Sequence, residues 1–169
     1  YDLMNDIMSL GTHRIWKKNL VSWINPTPSS KILDVASGTG DIAKLCSNNT
    51  NNNCSITCVE PNEKMLDEGK KKLKDLNNLK WVLSSAEHLP FKNDAFDYYT
   101  ISFGIRNVTN LDKSLSEAYR VLKNGGRFFC LEFSKPQNEL LKNMYKNYSK
   151  LIPTIGKFVA GSKMPYNYL

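Results

Sequence analysis

Apolar positions along the chain change period repeatedly. Ile32, Leu33 and Val35, then Ser55 to Val59, Lys80 to Ser84, Phe96 to Phe103 and Arg127 to Phe133, are short runs of strand length. Between them, helical spacing is set by Asp41 to Cys46, by Met65, Leu66, Gly69, Leu73 and Leu76 after Pro61-Asn62, and by Leu111, Leu115, Ala118 and Leu122. Trp16, Leu20, Trp23 and Ile24 predict an amphipathic helix near the N-terminus whose tryptophans pack in the core, and Asn25-Pro-Thr-Pro-Ser-Ser30 breaks it. Lys123-Asn-Gly-Gly126 reads as a glycine helix C-terminus, and Ser47-Asn-Asn-Thr-Asn-Asn-Asn53 as a tolerated polar insertion. Strands and helices therefore alternate, which predicts an α/β fold: a central, mostly parallel, doubly wound sheet with helices on both faces. A further helix is expected from Glu139 to Leu151, before a tail broken by Pro153, Gly156, Gly161 and Pro165.

With 169 residues, 41% of them hydrophobic, the chain can bury one sizeable core. We expect one domain: a helical segment over 1–24, a core over 30–134 and a helical segment over 135–169. No apolar run reaches the ~18 residues of a membrane span, which leaves peripheral membrane contact open. The net charge of +7 owes much to Lys70-Lys71-Lys72 and Lys74, read as a solvated helix face with no nucleic-acid partner. Cys46, Cys54, Cys58 and Cys130 lack C-x-x-C spacing and neighbouring histidines, so unpaired thiols are expected and metal binding is not. Leading the chain, Tyr1 to Leu10 is rich in methionine and leucine and could serve either as core or as an adaptable lid over a greasy ligand.

The chemistry concentrates in Lys31-Ile-Leu-Asp-Val-Ala-Ser-Gly-Thr-Gly-Asp41. Gly38 and Gly40 allow a tight turn and close approach of backbone to a ligand, and the helix starting near Asp41 points its unpaired N–H groups at the same place. Gly38-x-Gly40-x-x-Ala43 with Glu60 about 20 residues on also satisfies the loose dinucleotide fingerprint. Asp34 at the strand end weighs against that alternative, since a carboxylate would crowd a pyrophosphate but can accept from the ammonium of S-adenosylmethionine. Glu60, followed by Pro61, can accept both ribose hydroxyls, while Ser85 and Ala86 leave room for a flat ring. His88, beside Leu89-Pro90-Phe91, reads as a loop residue.

Several longer stretches carry a family resemblance. Tyr1-Asp-Leu-Met-Asn-Asp6, Met8-Ser-Leu-Gly11, Leu33-Asp-Val-Ala-Ser-Gly-Thr-Gly-Asp41, Ile101-Ser-Phe-Gly-Ile-Arg-Asn-Val-Thr109, Tyr119-Arg-Val-Leu-Lys123 with Gly125-Gly126, Leu131-Glu-Phe-Ser134, Ile155-Gly-Lys157 and Val159-Ala-Gly161 resemble signatures of the ubiquinone and menaquinone biosynthesis C-methyltransferases. The resemblance implies a Rossmann-like class I S-adenosylmethionine-dependent fold. It also implies methyl transfer to a ring carbon of a polyprenyl benzoquinol or naphthoquinol, with S-adenosylhomocysteine as product. Carried over, Thr39, Glu60, Ser85, Ala86 and Ser102 become cofactor contacts, with Gly38 and Gly40 shaping the loop. Two departures, Ser37 for a commoner glycine and Asn124 for proline, are mild, although Ser37 leaves less space.

Such chemistry requires mainly alignment of carbon, methyl and sulfur in a dry site, helped by deprotonation of a ring hydroxyl. Arg106 is the first choice for holding a water or stabilising the phenolate, with Asn107 hydrogen-bonding a ring oxygen. Both could instead only organise the loop after strand four, and His13 and Tyr145 are alternatives for the proton transfer. Leu3, Met4, Ile7, Met8, Ile152 and Phe158 are candidates for a tail channel. The resemblance further implies a quinone-biosynthesis complex at the matrix face of the mitochondrial inner membrane, or the cytoplasm of a bacterium. It also leads us to expect missing C-terminal strands, an exposed strand five and possible dimer formation. The rivals are a non-catalytic scaffold subunit and an NAD-dependent oxidoreductase.

Overall fold

Residues 12–133 are described, in a computed structural model of the chain. The elements run α1 (His13–Ile24), β1 (Lys31–Val35), α2 (Asp41–Asn49), β2 (Ser55–Glu60), α3 (Glu63–Lys72), β3 (Leu79–Leu83), β4 (Phe96–Ser102), a 3-10 turn (Ile105–Asn107), α4 (Leu111–Val121) and β5 (Leu122–Leu131). The strands form one sheet in the order β3-β2-β1-β4-β5, every ladder parallel. This sheet lies within a compact unit spanning Trp16–Glu132. The expected lid, the channel residues, the helix from Glu139, Tyr145 and the tail lie outside the described residues.

Alternation along the strands builds two apolar layers. Ile32, Ile56 and Cys58 face one side, where Leu20, Val21 and Ile24 of α1 and Ile42, Ala43 and Cys46 of α2 cover them. Leu33, Val35, Val59, Tyr99 and Ile101 face the other, packed with Ala118 and Val121 of α4. Each fully buried aliphatic side chain contributes ~1.5–3 kcal/mol, which makes β1, buried on both faces, the strongest single element. Asn62 and Asn110 start α3 and α4 by accepting from the N–H groups of Met65 and Lys113.

Gly69, inside α3, exists for packing: a Cβ there would overlap the indole of Trp81 on β3. A Cβ added at Gly40, which has φ +84°, would likewise come within 2.9 Å of that ring. One tryptophan thus packs against both the glycine loop and α3.

The structure corrects several boundaries and faces. Helix α2 runs to Asn49 rather than Cys46, and Ser47 and Thr50 of the supposed insertion are buried. Ser47 Oγ lies 2.7 Å from Asn52 Oδ1 and 2.9 Å from Asn78 Oδ1, so this polar stretch anchors the turn into β2. Trp23 is 68% exposed, because the inward stripe of α1 is Leu20, Val21 and Ile24; Trp16 is partly exposed, its ring centroid 6.5 Å from that of Phe103. Helix α4 buries Ser114, Ala118 and Val121, leaving Leu111 and Leu115 outside. Strand β3 starts one residue earlier than expected, at Leu79.

The glycine pair after α4 does not cap it. Helix α4 ends at Val121, and Lys123–Gly126 bulges out between the Phe96–Leu122 and Tyr98–Arg127 pairings, with Gly125 at φ +78°. Strand β5 is accordingly longer than Arg127 to Phe133 suggested, and among the described residues it is an edge strand. All four cysteines carry free thiols, three of them buried.

Candidate active site

The strand order reverses direction between β1 and β4, which opens a crevice at their carboxyl ends. After β1 the chain passes Ala36 at φ +52°, Gly38 at +56° and Gly40 at +84° before entering α2. After β4, Phe103 takes φ +55°, and a Cβ on Gly104 would overlap that of Ala36. The two loops therefore pack against each other at the reversal point. Only small residues at Ala36 and Gly104 allow this.

Glu60 closes the third side. Buried at the end of β2, its Oε2 accepts from Gly38 N at 2.8 Å and its Oε1 from Asn62 N at 3.0 Å. Each oxygen keeps a second lone pair for a ligand hydroxyl. Pro61, exposed, follows it. Ser37, the residue expected to crowd the loop, turns its hydroxyl toward Val59 O of β2, at 3.3 Å.

Asp34 is 1% exposed, on the same sheet face as Cys58 and Ile32. Its Oδ1 accepts from Thr100 Oγ1 at 2.7 Å, and its Oδ2 has no hydrogen-bond partner. Burial pushes its carboxyl up from 3.8 to about 7, against the Thr100 hydrogen bond and the charge of Lys17, which pull it down. The other buried side-chain oxygen without a partner among the described residues is Ser102 Oγ, at the end of the neighbouring strand β4. Unpaired buried polar atoms are costly and rare. Two of them at adjacent strand ends, beside a glycine loop, mark a site shaped for a polar ligand.

Sequence reasoning missed the ion cluster at the loop's far side. Lys17 Nζ lies 2.7 Å from Asp41 Oδ2, and Lys72 Nζ lies 2.8 Å from Asp41 Oδ1 and 3.1 Å from Thr39 Oγ1. Burial would raise the Asp41 carboxyl, but the bonds to Lys17 and Lys72 outweigh it and hold it at about 2. The signal was Asp41 itself, an acid in the first turn of a helix.

On the adenine side, Ser85 is half-buried and Ala86 buried, in the segment after β3. Next to them, burial raises the Glu87 carboxyl, but the backbone N–H groups of Glu87, Asn110 and Thr109 overcome this and hold it below its usual range. Glu87 thus ties this segment to the start of α4. Arg120 ties it again, donating to Leu89 O at 2.9 Å, Phe91 O at 2.7 Å and the Glu117 carboxylate. His88 is exposed beside Ser85 and Lys113.

Arg106 and Asn107 occupy the 3-10 turn after β4, both exposed toward solvent. Arg106 Nη1 donates to Glu132 Oε1 at 2.6 Å, a partner just beyond β5 that sequence reasoning did not single out. Asn107 N donates to Gly104 O, closing the turn.

A parallel sheet in this order, a glycine loop after β1 and an acid ending β2 define a class I nucleoside-cofactor fold of the S-adenosylmethionine-dependent methyltransferases. Solved structures agree on the fold: the YcgJ protein of Bacillus subtilis superposes with a TM-score of 0.67 at 23% identity, over 80% of this chain and 58% of that one. A SAM-dependent methyltransferase from Aquifex aeolicus gives 0.66 at 18% identity, over 73% and 66%. The chain belongs to the ubiE/COQ5 methyltransferase family, matched over residues 1–169. It is 53% identical over 176 residues to the ubiquinone/menaquinone biosynthesis C-methyltransferase UbiE of Rickettsia prowazekii, and 55% identical to that of Rickettsia rickettsii. In both cases the whole of this chain matches 71% of the relative's length.

Proposed function

We propose that this chain binds S-adenosylmethionine in the crevice between β1 and β4 and methylates a ring carbon of a polyprenyl quinol. The substrate is a benzoquinol in ubiquinone biosynthesis, or a naphthoquinol where menaquinone is made. The carrying observation is the pair of orphaned buried oxygens, Asp34 Oδ2 and Ser102 Oγ, on the two neighbouring strands that end at the loop of Gly38 and Gly40 and at the turn after β4. An ammonium satisfies Asp34, and Glu60 has acceptor capacity for ribose hydroxyls. Pro61 starts the turn beside it. Thr39 and Gly40 border the loop, and Ser85 and Ala86 flank the adenine. A pyrophosphate has no comparable fit, since it would set anionic oxygens against Asp34 and Glu60.

Bound there, the cofactor supplies an electrophilic methyl on a sulfonium and leaves as S-adenosylhomocysteine. The chain's residues supply position and electrostatics. Arg106 and Asn107 stand at the mouth, where Glu132 fixes the guanidinium; Arg106 stabilises the developing phenolate and Asn107 bonds a ring oxygen. As the ring carbon takes the methyl, it gives up its proton to water, so the guanidinium never acts as a base. Membership of a quinone-biosynthesis complex, peripheral membrane contact and a homodimer belong to the same proposal, supported by the family and by the lipid tail of its substrate. No described helix is long and apolar enough to cross a membrane. The rickettsial relatives fit the cytoplasmic form of the location; the matrix face of the mitochondrial inner membrane is the proposal for a eukaryotic source.

The test is transfer of labelled methyl from S-adenosylmethionine to a short-tailed quinol lacking the ring methyl. Label on a ring carbon, with S-adenosylhomocysteine formed in equal amount, supports the reading. Label on oxygen refutes C-methylation, and stabilisation by NADH but not by S-adenosylhomocysteine refutes the cofactor.

A further inference from the structure

Lys17 is a buried lysine, 8% exposed, on a helix otherwise packed through Leu20, Val21 and Ile24. Burying an ammonium is costly unless it is paired. Its partner, Asp41, is shared: Lys72 holds the other carboxylate oxygen, and Asp41 is firmly ionised. Two ammonium groups thus meet one carboxylate at the first turn of α2, where the helix dipole already has positive sign. On the same sheet face Asp34 carries its unpartnered buried Oδ2, close enough for Lys17 to act on its charge. A buried ammonium that shares its carboxylate partner, beside an acceptor without a donor, is the complement of an α-amino acid zwitterion.

We propose that Lys17 binds the α-carboxylate of the cofactor's amino-acid end while Asp34 takes its ammonium, Asp41 holding Lys17 in place. The inference rests on the S-adenosylmethionine reading above. Lys17 suits the role better than Lys72 because its side chain is 11% exposed against 38%, and a desolvated charge attracts a carboxylate more strongly. Lys72 is already engaged at the rim by Thr39 and Asp41.

Calorimetric titration with two ligands separates this role from a structural one. S-adenosylhomocysteine carries the amino-acid end, and 5′-methylthioadenosine keeps the nucleoside and sulfur but lacks it. Lys17→Met is expected to weaken S-adenosylhomocysteine binding roughly 10- to 100-fold, the worth of a charge-assisted bond, and to leave methylthioadenosine within about twofold, with Lys17→Arg restoring most of the loss. Equal losses for both ligands would show that Lys17 only shapes the loop, and no loss would show that it does not touch the carboxylate. Should Lys17→Met fail to fold by circular dichroism, Lys17→Gln decides: it keeps a polar head without the charge, so the preference for S-adenosylhomocysteine over methylthioadenosine should collapse as in Lys17→Met, and a preference equal to that of wild type overturns the proposal. Wild-type protein binding neither ligand would instead refute the cofactor reading itself.

Discussion

Asp34 couples stability and ligand binding in opposite directions. Its carboxyl titrates near 7 in the folded chain because burial disfavours the charge, against 3.8 ordinarily. Between those values the folded chain holds a proton that the unfolded chain has released, so stability falls as pH rises from about 4 to about 7 and is level above. A gap of about three units at 1.36 kcal/mol each gives a penalty on the order of 4 kcal/mol at pH 8, against roughly 1.5 kcal/mol at pH 5. Asp34→Asn keeps the shape, keeps an oxygen for Thr100 Oγ1 and removes the charge. Relative to wild type, the variant should therefore gain about 3 kcal/mol more at pH 8 than at pH 5 in ligand-free denaturant titrations. In melting temperature that is on the order of 5–10 °C. The same variant should lose S-adenosylhomocysteine binding, since a neutral amide is a poor partner for an ammonium. A wild-type-to-variant difference independent of pH would refute the burial argument. Gained stability with unchanged affinity would refute the role of Asp34 in the site.

Three further outcomes test other parts of the structure. Gly69→Ala, normally worth up to ~1 kcal/mol of added helix propensity, should instead destabilise by about 1–3 kcal/mol in denaturant titration, because its methyl collides with the Trp81 indole. Arg106→Met should lower kcat/KM at least ~100-fold in the quinol assay, while leaving S-adenosylhomocysteine affinity unchanged and stability within about 1 kcal/mol, since its ion pair with Glu132 is partly exposed. Arg120→Met strips donors from Leu89 O, Phe91 O and Glu117 and should cost about 2 kcal/mol. Because the Arg120 hydrogen bond holds Glu117 near 2, that stabilisation is present above about pH 4.5 and is lost as pH falls toward 2; the variant's deficit should shrink over the same range.

Element type and order follow from local pattern, so the five strands, the helices between them and the glycine turn after β1 were legible residue by residue. Ile32, Leu33 and Val35 can satisfy their backbone and bury their side chains only in a central strand. Asp34, Glu60 and the two loop glycines could also be named from sequence, because an acid ending a strand and glycines opening a helix are local chemistry, whereas Ser102 entered only through the family resemblance. Facing was less legible where two apolar stripes compete on one helix. Leu111 and Leu115 have helical spacing as good as that of Ala118 and Val121, yet the face that packs on Tyr99 and Ile101 is the one carrying Ser114, Ala118 and Val121. Partners distant in sequence were decided by the tertiary structure alone. Thr100 reaches Asp34 across 66 positions and Glu132 reaches Arg106 across 26. Lys17 meets Asp41 across 24, and Lys72 meets it across 31. Sequence supplies the charges in such pairs, but their energy depends on distance and on how much water the fold removes, and both are set only when the strands align and the helices close over them.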